Sequence, residues 1–239
     1  MKRVLQPTTL FLTILPILCI WYVSLFLLSP SIPPVLKYGL LLPLAYFSGA
    51  IPWGYFFLHW SQGIDIRQYG SGKTGMSNVL RTGGSKTAAV VLILDISKGI
   101  ITVLLARYFI GTTTAEIVTG LLALIGHNWP IFLKFRGGRG IATGLGGLAV
   151  MAPIPALCAA VAFIPVTLFS KYVSLGSIVG VLTACLTLIG LTILGTYSID
   201  YSWYALMAGS IIIWQHRDNI KRIWDGTERK LGNPRNLSQ

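Results

Sequence analysis

The chain has 239 residues, of which 54% are apolar and only 11% are charged. About a quarter of the residues in soluble domains are charged, so this composition excludes an ordinary soluble protein and favours a chain surrounded mostly by lipid. The formal net charge of +12 favours an anionic partner, either lipid headgroups or phosphorylated metabolites, whereas nucleic acid is not expected because no soluble basic domain is present.

Apolar segments recur along the chain and predict an all-α, polytopic membrane helix bundle. A full crossing needs about 20 apolar residues, so two of the segments are short. Prolines at 153 and 155 divide the stretch 141–170, because proline ends or kinks a helix. The first segment is too long for a signal peptide and lacks a cleavage site, so we expect it to be retained. We predict eight helices, with seven or six as alternatives, at about 8–29, 38–60, 87–110, 115–127, 141–152, 154–170, 174–196 and 201–216.

The basic residues predict the orientation of these helices. If the chain crosses at every segment, one side receives 16 of the 19 Lys and Arg residues. Basic loops remain in the cytoplasm, so this side is predicted to be cytoplasmic. It holds the N-terminus with Lys2 and Arg3, the loops at 61–86, 128–140 and 171–173, and the tail at 217–239 with Arg235.

The first basic loop reads Tyr69-Gly-Ser-Gly-Lys-Thr-Gly-Met-Ser-Asn-Val-Leu-Arg81. A nucleotide P-loop would need glycine at position 67, which is Arg67, so ATP binding is disfavoured. Two interpretations stay open, a flexible turn before a helix or an anion cradle of backbone N–H groups and side-chain donors. The candidate binding residues are Gly70, Ser71, Gly72, Lys73, Ser77, Asn78 and Arg81.

The second basic loop, between Gly126 and Thr143, contains the run Phe135-Arg-Gly-Gly-Arg-Gly140. One interpretation is a basic loop that touches anionic headgroups, and the other is a second anion cradle. Clustered glycines carry a conformational cost that a headgroup contact does not require, which favours the cradle. His127 could act as a ligand or base, but a lone histidine at a helix end is more often structural, and we favour that interpretation. The candidate binding residues are Arg136, Gly137, Gly138, Arg139 and Gly140.

The third basic segment runs from His216 to Lys230. His216, Asn219 and Arg222 follow one another at intervals of three, so on a helix they share a face. The alternative is an amphipathic basic tail that lies on the membrane surface.

Charged and hydroxyl residues also occur near or within the apolar segments. Asp95 and Lys98 lie three residues apart, and we predict that they form a salt bridge because unpaired charges are costly in a membrane. Ser174 and Ser177 follow Lys171 and offer hydroxyl donors on the basic side.

Several of these segments together resemble the bacterial membrane glycerol-3-phosphate acyltransferases that use acyl phosphate, the PlsY family. The resemblance covers about residues 40 to 231 in collinear order. It rests on Leu44-Ala-Tyr-Phe-Ser-Gly-Ala-Ile-Pro-Trp-Gly-Tyr55, Asp65-Ile-Arg-Gln-Tyr-Gly-Ser-Gly72, Ser77-Asn-Val-Leu-Arg81, Leu94-Asp-Ile-Ser-Lys-Gly99, Gly126 through Thr143, Lys171-Tyr-Val-Ser-Leu-Gly-Ser177 and His216 through Glu228.

The resemblance implies a seven-helix core over residues 38–239, preceded by an extra transmembrane helix and loop over residues 1–37. It implies that the 1-hydroxyl of glycerol 3-phosphate attacks the carbonyl of an acyl phosphate, giving lysophosphatidic acid and phosphate. A soluble partner acyltransferase would supply the acyl phosphate. No cofactor is implied, and the three cysteines form no Cys/His cluster that predicts a metal site. The expected location is the cell membrane of a bacterium, with the active loops in the cytoplasm.

Position by position, the resemblance implies a set of site residues. Arg81 and Arg139 would bind phosphate, Ser71 and Asn219 would orient the substrates, and His216 would position the attacking hydroxyl or act as base. Substrate contacts are implied for Ser77, Asn78, Ser177 and Glu228. The chain departs from the family at Lys73, where asparagine is usual, and at Arg136 and Arg139, where lysine is usual.

Three alternative functions remain at this point. A divergent relative would use another phosphorylated acceptor. An organic-phosphate transporter would show repeats and broken helices near the midplane, and no repeat is visible in the sequence. A lipid-binding scaffold would explain the basic loops but not the collinear motifs.

Overall fold

The computed structural model describes residues 7–28 and 32–231. Across these two ranges the chain is helical and contains no strand, so the all-α prediction is confirmed. Lys2, Arg3 and Arg235, which entered the orientation argument, lie outside the described residues. The helices are α1 (Pro7–Leu28), α2 (Pro34–Ala50), α3 (Trp53–Gln62), α4 (Met76–Phe109), α5 (Thr113–Asn128), α6 (Ile141–Met151), α7 (Pro153–Ser170), α8 (Val173–Ile193), α9 (Tyr201–Gln215) and α10 (Arg217–Trp224).

Each predicted apolar segment coincides with helix, but two boundaries differ from the prediction. The segment at 38–60 is a pair, α2 and α3, bent by 41° at a break beside Pro52. Proline has no backbone N–H to continue the hydrogen-bonding pattern, which explains the break. The segment at 87–110 starts earlier, at Met76, because a kink at Gly84 (φ 84°) joins a short polar helix to the apolar one.

The lengths of the helices show which segments can cross a bilayer alone. Five helices within the described ranges are long and apolar enough, and the bent pair α2–α3 would make a sixth. The helix α6 has only 11 residues, about 16 Å at the usual rise, so it reaches about halfway through the hydrocarbon layer. The predicted set of eight helices is therefore a mixture of full and partial spans.

Glycines allow α4 and α6 to pack with their backbones in close contact. A Cβ atom at Gly99 would overlap the carbonyl oxygen of Thr143, and one at Gly146 would overlap the carbonyl oxygen of Ile96. Small residues that permit such an approach are typical of helix contacts in membranes. The predicted salt bridge lies beside this contact and is confirmed, with Lys98 Nζ at 2.6 Å from Asp95 Oδ1.

The loops predicted to share one side of the membrane do meet at one end of the bundle. Arg67 of the first loop donates to the carbonyl oxygen of Leu133 in the second loop. Arg229 donates to the carbonyl oxygen of Gly70, and the backbone N–H of Leu231 donates to the carbonyl oxygen of Lys171. The tail thus joins the first loop to the connection between α7 and α8.

The first helix packs against this end of the bundle through aromatic side chains. The Phe11 ring is buried and lies 4.4 Å from the ring of Phe56 and 6.0 Å from that of Phe132, between centroids. Phe132 belongs to a 3₁₀ turn, Ile131–Leu133, in the second basic loop. The helix α1 therefore supports a loop that carries predicted site residues.

Candidate active site

The first loop owes its shape to Asn78, in the first turn of α4. The Asn78 carboxamide accepts a hydrogen bond from the backbone N–H of Ser71 and donates to three loop carbonyls, and the side chain is fully buried. Gly70 and Gly72 have positive φ angles of 57° and 68°. A Cβ at Gly70 would overlap the Asn78 carboxamide. These three residues therefore set the path of the loop, and none of them lines the pocket described below.

The second loop is folded against the end of α5. A Cβ at Gly138 would overlap the imidazole of His127, and one at Gly137 would overlap the His127 carbonyl oxygen. Gly140, at φ 85°, forms the N-cap of α6. This path turns Arg139 into the pocket and leaves Arg136 exposed and outside it.

The third segment is held together by Glu228. The Glu228 carboxylate accepts a hydrogen bond from the Asn219 carboxamide at 2.9 Å and from Arg222 Nε at 2.8 Å. Asn219 and His216 are both buried, so the face predicted from the spacing of three is confirmed and points inward. The Glu228 carboxylate thus holds Asn219 and Arg222 of α10 in place, and it pairs with only one of the cations nearby.

These three segments enclose one end of a cavity of about 380 Å³. Nine of the predicted site residues line it, and Ser71, Asn78, Arg136 and the glycines at 70, 72, 137 and 138 do not. Sequence reasoning missed Arg229 and the buried pair Asp95 and His127, which also line it. The lining residues that the sequence predicted are Lys73, Ser77, Arg81, Arg139, Gly140, Ser177, His216, Asn219 and Glu228, the glycine contributing backbone.

Several buried polar atoms at this end have no hydrogen-bond partner among the described residues. Buried polar groups are nearly always hydrogen-bonded in folded proteins, so such a cluster indicates a site for a polar ligand. The Ser177 hydroxyl, in contrast, donates to the carbonyl oxygen of Val173. The unpaired atoms include Ser71 Oγ, Arg81 Nε, Arg139 Nε, Ser174 Oγ, Asn219 Oδ1 and Arg222 Nη2.

The charges at this end are predominantly positive. Burial lowers the pKa of Arg139 to about 10, and repulsion from the Arg222 charge is the second cause. Burial also lowers the pKa of Lys73, and the neighbouring Arg139 and Arg217 lower it further. Cations whose pKa values fall because of burial and mutual repulsion gain stability from a bound anion. The site therefore favours a ligand with more than one negative charge.

Three of the helices that begin at this end reinforce its preference for anions. The helices α4, α6 and α8 all start beside the cavity, and none has an acidic residue in its first turn. The free N–H groups and the dipole at a helix start attract negative charge. The three helix N-termini beside the cavity therefore add to the positive potential of the arginines.

The histidine of the third segment is neutral at physiological pH. Burial lowers the pKa of His216 to about 4, and the nearby Arg139 and Lys73 act in the same direction. Its Nδ1 lies 2.8 Å from the carbonyl oxygen of Ile212, so Nδ1 donates the hydrogen bond. The other ring nitrogen, Nε2, then holds a lone pair that can accept a proton or a hydrogen bond.

The rest of the cavity is an apolar slot between α6, α7, α8 and α9. Its walls are mainly aliphatic and small residues, including Leu145, Leu148, Ala159, Val181 and Ala184. A polar ligand at the open end would place any attached hydrocarbon chain in this slot. The cavity thus has the two-part character of a site for an amphipathic substrate.

Sequence reasoning missed parts of the site whose signals are non-local. Arg222 had the correct spacing from Asn219, but its role depends on Glu228, six residues later, which turns back beside it. Arg229 reaches Gly70, which lies 159 positions earlier in the chain. No local pattern predicts a contact of that range.

Known proteins resemble this chain over most of its length. Residues 39–226 match the family model of glycerol-3-phosphate acyltransferase. The glycerol-3-phosphate acyltransferase 3 of Dehalococcoides mccartyi is 43% identical over 209 residues, covering 82% of this chain and 97% of the relative. The glycerol-3-phosphate acyltransferase of a Thermoanaerobacter species is 46% identical over 189 residues, covering 79% and 93%.

A solved structure has the same arrangement of helices. PlsY (YgiH), an integral membrane glycerol 3-phosphate acyltransferase, in its glycerol 3-phosphate form superposes with a TM-score of 0.75 at 35% identity. The match covers 80% of this chain and 94% of PlsY. The lysophosphatidic acid form of PlsY matches with a TM-score of 0.73.

Proposed function

The chain belongs to the glycerol-3-phosphate acyltransferase family, and from this we propose that its two-part cavity transfers a fatty acyl group from acyl phosphate to glycerol 3-phosphate. The protein is a multi-pass membrane acyltransferase of bacterial type. The products are lysophosphatidic acid and inorganic phosphate. The observation that supports this assignment best is the cluster of unpaired buried donors and cations that opens directly onto an apolar slot.

The charges of the two substrates suit the polar end. Each substrate carries a phosphate group, and together they bring nearly four negative charges near neutral pH. Desolvating such charges requires several cations and hydrogen-bond donors. Arg81 and Arg139 have a guanidinium nitrogen each without a partner, and Lys73 lines the same cavity. We assign the two arginines to the phosphates, with Lys73 beside them.

The reaction breaks one bond and forms another at the acyl carbonyl carbon. The 1-hydroxyl oxygen of glycerol 3-phosphate forms a new C–O bond, and the bond from that carbon to the phosphate oxygen breaks. The electrons of the broken bond leave with the phosphate, where Arg81 and Arg139 stabilise the charge. The hydroxyl proton passes to His216 Nε2 or directly to an oxygen of the departing phosphate.

The neutral imidazole and the hydroxyl and amide side chains orient the substrates in this proposal. His216 is a weak base when its pKa is about 4, and two bound phosphates would raise that pKa by attracting a proton. Asn219 Oδ1 is buried without a partner, and both Asn219 and Ser77, at the start of α4, line the cavity. These two side chains suit the hydroxyl groups and phosphate of the acceptor, whereas Ser71, whose Oγ is also buried without a partner, lies outside the cavity lining.

The remaining predicted residues would act through the shape of the loops. Asn78 and the glycines at 70, 72, 137 and 138 fix the backbone beside the site, and Ser177 and Glu228 have hydroxyl and carboxylate groups already paired within the protein. Arg136 points away from the cavity. We therefore propose direct substrate contact for Arg139 and not for Arg136.

We also propose the orientation, domain division and partner that the sequence suggested. The basic end would face the cytoplasm by the positive-inside rule. Residues 38–239 would form the acyltransferase domain, and residues 1–37 would add a helix and loop to it. A soluble acyltransferase that makes acyl phosphate would supply the donor at the cytoplasmic face.

The assay that tests this function uses purified full-length protein with acyl phosphate and glycerol 3-phosphate. We expect phosphate release and lysophosphatidic acid formation in equal amounts. Arg139→Ala should lose about a hundredfold or more in kcat/KM, because a charge-stabilising donor is removed. Lys221→Ala, an exposed cation on α10, is the control and should match the wild type. Absence of acyl product with glycerol 3-phosphate would disprove the proposal.

A further inference from the structure

Three of the four helices around the apolar slot, α6, α8 and α9, line it with regular stripes of residues that start at the polar end. The stripe on α8 runs from Ser177 through Gly180 and Ala184 to Leu188. Stripes on α6 and α9 run in parallel with it and reach Leu148 and Tyr204. Residues three or four apart on a helix share a face, so each stripe is one continuous wall. The slot is therefore a straight channel along the helix axes.

Large, buried side chains line the far end of this channel. Leu188 is 1% exposed and Tyr204 is 3% exposed, so both belong to the packed interior of the bundle. The Tyr204 hydroxyl donates to the carbonyl oxygen of Gly144 at 2.9 Å, which holds the ring against α6. Behind them, Ile117, Met151 and Tyr201 belong to the same buried cluster. We call Leu148, Leu188 and Tyr204 the floor of the slot.

The depth of the slot follows from the rise of the helices that line it. Eleven residues separate Ser177 from Leu188, and twelve separate Tyr204 from His216, which gives about 16 to 18 Å at the usual helical rise. An extended hydrocarbon chain advances about 1.3 Å per carbon, from single bonds of about 1.5 Å. The slot is thus about 12 to 14 carbons deep.

We propose that the floor sets the acyl-chain length, so that saturated chains of about 14 carbons are the longest that bind fully extended. This inference rests on the proposed function and names the donor that it would use. Gly180 and Ala184 leave room for the chain along the α8 wall, because glycine has no side chain and alanine has a single methyl group. Longer chains must bend at the floor or push Leu188 aside, which overpacks a closed region.

Chain-length profiles of the wild type and two variants test the floor. Acyl phosphates with about 10 to 18 carbons, a range that brackets the depth calculated from the helical rise, are compared at one mole fraction in detergent micelles. For the wild type, kcat/KM should peak near about 14 carbons and fall about tenfold beyond about 16, as expected for overpacking. Leu188→Ala removes part of the floor and should move the maximum about two carbons longer.

The second variant should move the maximum in the opposite direction. Ala184→Leu places a larger side chain one helical turn above the floor, which shortens the slot by about 6 Å, or about four carbons. Leu186→Ala is the matched control, since Leu186 lies on the same helix but is 72% exposed. Its profile should equal that of the wild type. Opposite shifts in two variants do not arise from a general loss of folding.

The outcomes separate the floor from the proposed function. If both variants form product with the wild-type maximum, the floor does not set the chain length and the inference is wrong, while the acyltransferase function stands. If the wild type forms no product at any chain length, the proposed function fails and the floor fails with it. Shifts in both predicted directions, absent from Leu186→Ala, support the inference.

Discussion

Arginines lie at both ends of the bundle, and their surroundings differ. At the end away from the basic loops, Arg107 donates from Nε and Nη2 to the two carboxylate oxygens of Glu116, each at 2.8 Å. The Tyr201 hydroxyl donates to the same carboxylate, and Arg107 also reaches the carbonyl oxygen of Val150. At the other end, Arg81 has a buried Nε without a partner.

This difference separates structural from functional arginines. The group around Arg107 joins α4, α5, α6 and α9, and it satisfies its donors and acceptors within the protein. Arg81 and Arg139 lie beside further cations, and nothing among the described residues satisfies their Nε atoms. Unpaired buried donors cost free energy in the empty site and regain it when an anion binds. Residue type alone does not distinguish the two roles.

The largest expected effect comes from removing an unpaired arginine. Arg81→Ala should lower kcat/KM for acyl transfer by about a thousandfold, or about 4 kcal/mol, because a charge-assisted contact to phosphate disappears. Its unfolding temperature should change little, since no carboxylate loses a partner. Both quantities are measured on detergent-purified protein, by phosphate release and by thermal unfolding.

Lys86→Ala is the control for this experiment. Lys86 is exposed and lies five residues after Arg81 on the same helix, so it reports any general effect of lost positive charge. Wild-type acyl transfer by Arg81→Ala would contradict the distinction between the two ends.

The reciprocal substitution should affect stability and not catalysis. Arg107→Ala leaves the Glu116 carboxylate, whose side chain is only 7% exposed, with Tyr201 as its remaining donor. Isolating a buried carboxylate should cost about 3 kcal/mol, which lowers the unfolding temperature by about 6 to 12 °C for a chain of this size. We expect kcat/KM of the folded fraction to stay within about twofold of the wild type. A large loss of kcat/KM at unchanged stability would place Arg107 in the functional class.

The next effect in size is a loss of stability at acidic pH, which we attribute to His216. Its pKa is about 4 in the folded protein, against an ordinary value of 6.5, because the ring is buried. Between these pH values the unfolded chain binds more protons, so stability falls as the pH falls. At pH 5 the free energy of unfolding should be about 2 kcal/mol lower than at neutral pH, because each unit of difference between the folded and unfolded pKa values is worth about 1.36 kcal/mol.

A pH series of thermal unfolding measures this contribution. His216→Gln keeps a side-chain hydrogen-bond donor but does not titrate, so its unfolding temperature should depend less on pH than that of the wild type between pH 6.5 and pH 4. Parallel curves for the two proteins would show that the imidazole is not held neutral by its surroundings.

The sequence predicted much of the fold but only part of the site, for physical reasons. Apolar segments of sufficient length locate helices directly, whereas the bend at Pro52 and the kink at Gly84 depend on local backbone geometry. The basic glycine loops were predicted as a group. The family resemblance singled out Arg139, but the residue pattern of the loop alone does not tell which of Arg136 and Arg139 enters the cavity, because the path of Gly137 and Gly138 over His127 decides it. The slot floor joins three helices and has no local pattern.

The smallest effect that we predict is for Arg139→Lys. With lysine at this position the site should keep its charge and lose only the planar fork of donors. We expect kcat/KM at pH 7 to fall about tenfold, far less than for Arg139→Ala. Because burial already lowers the pKa of Arg139 to about 10, the same burial should bring the introduced ammonium group closer to neutrality.

The kcat/KM values of the wild type and Arg139→Lys should therefore differ most at alkaline pH. As the pH rises above about 8, an ammonium group with a lowered pKa loses its proton and no longer attracts phosphate, whereas the guanidinium remains charged. The pH profile of kcat/KM for Arg139→Lys should turn down at a lower pH than that of the wild type. Profiles that coincide in shape would mean that Arg139 does not contact the phosphates, and the contrast between the two ends of the bundle would then rest on Arg81 alone.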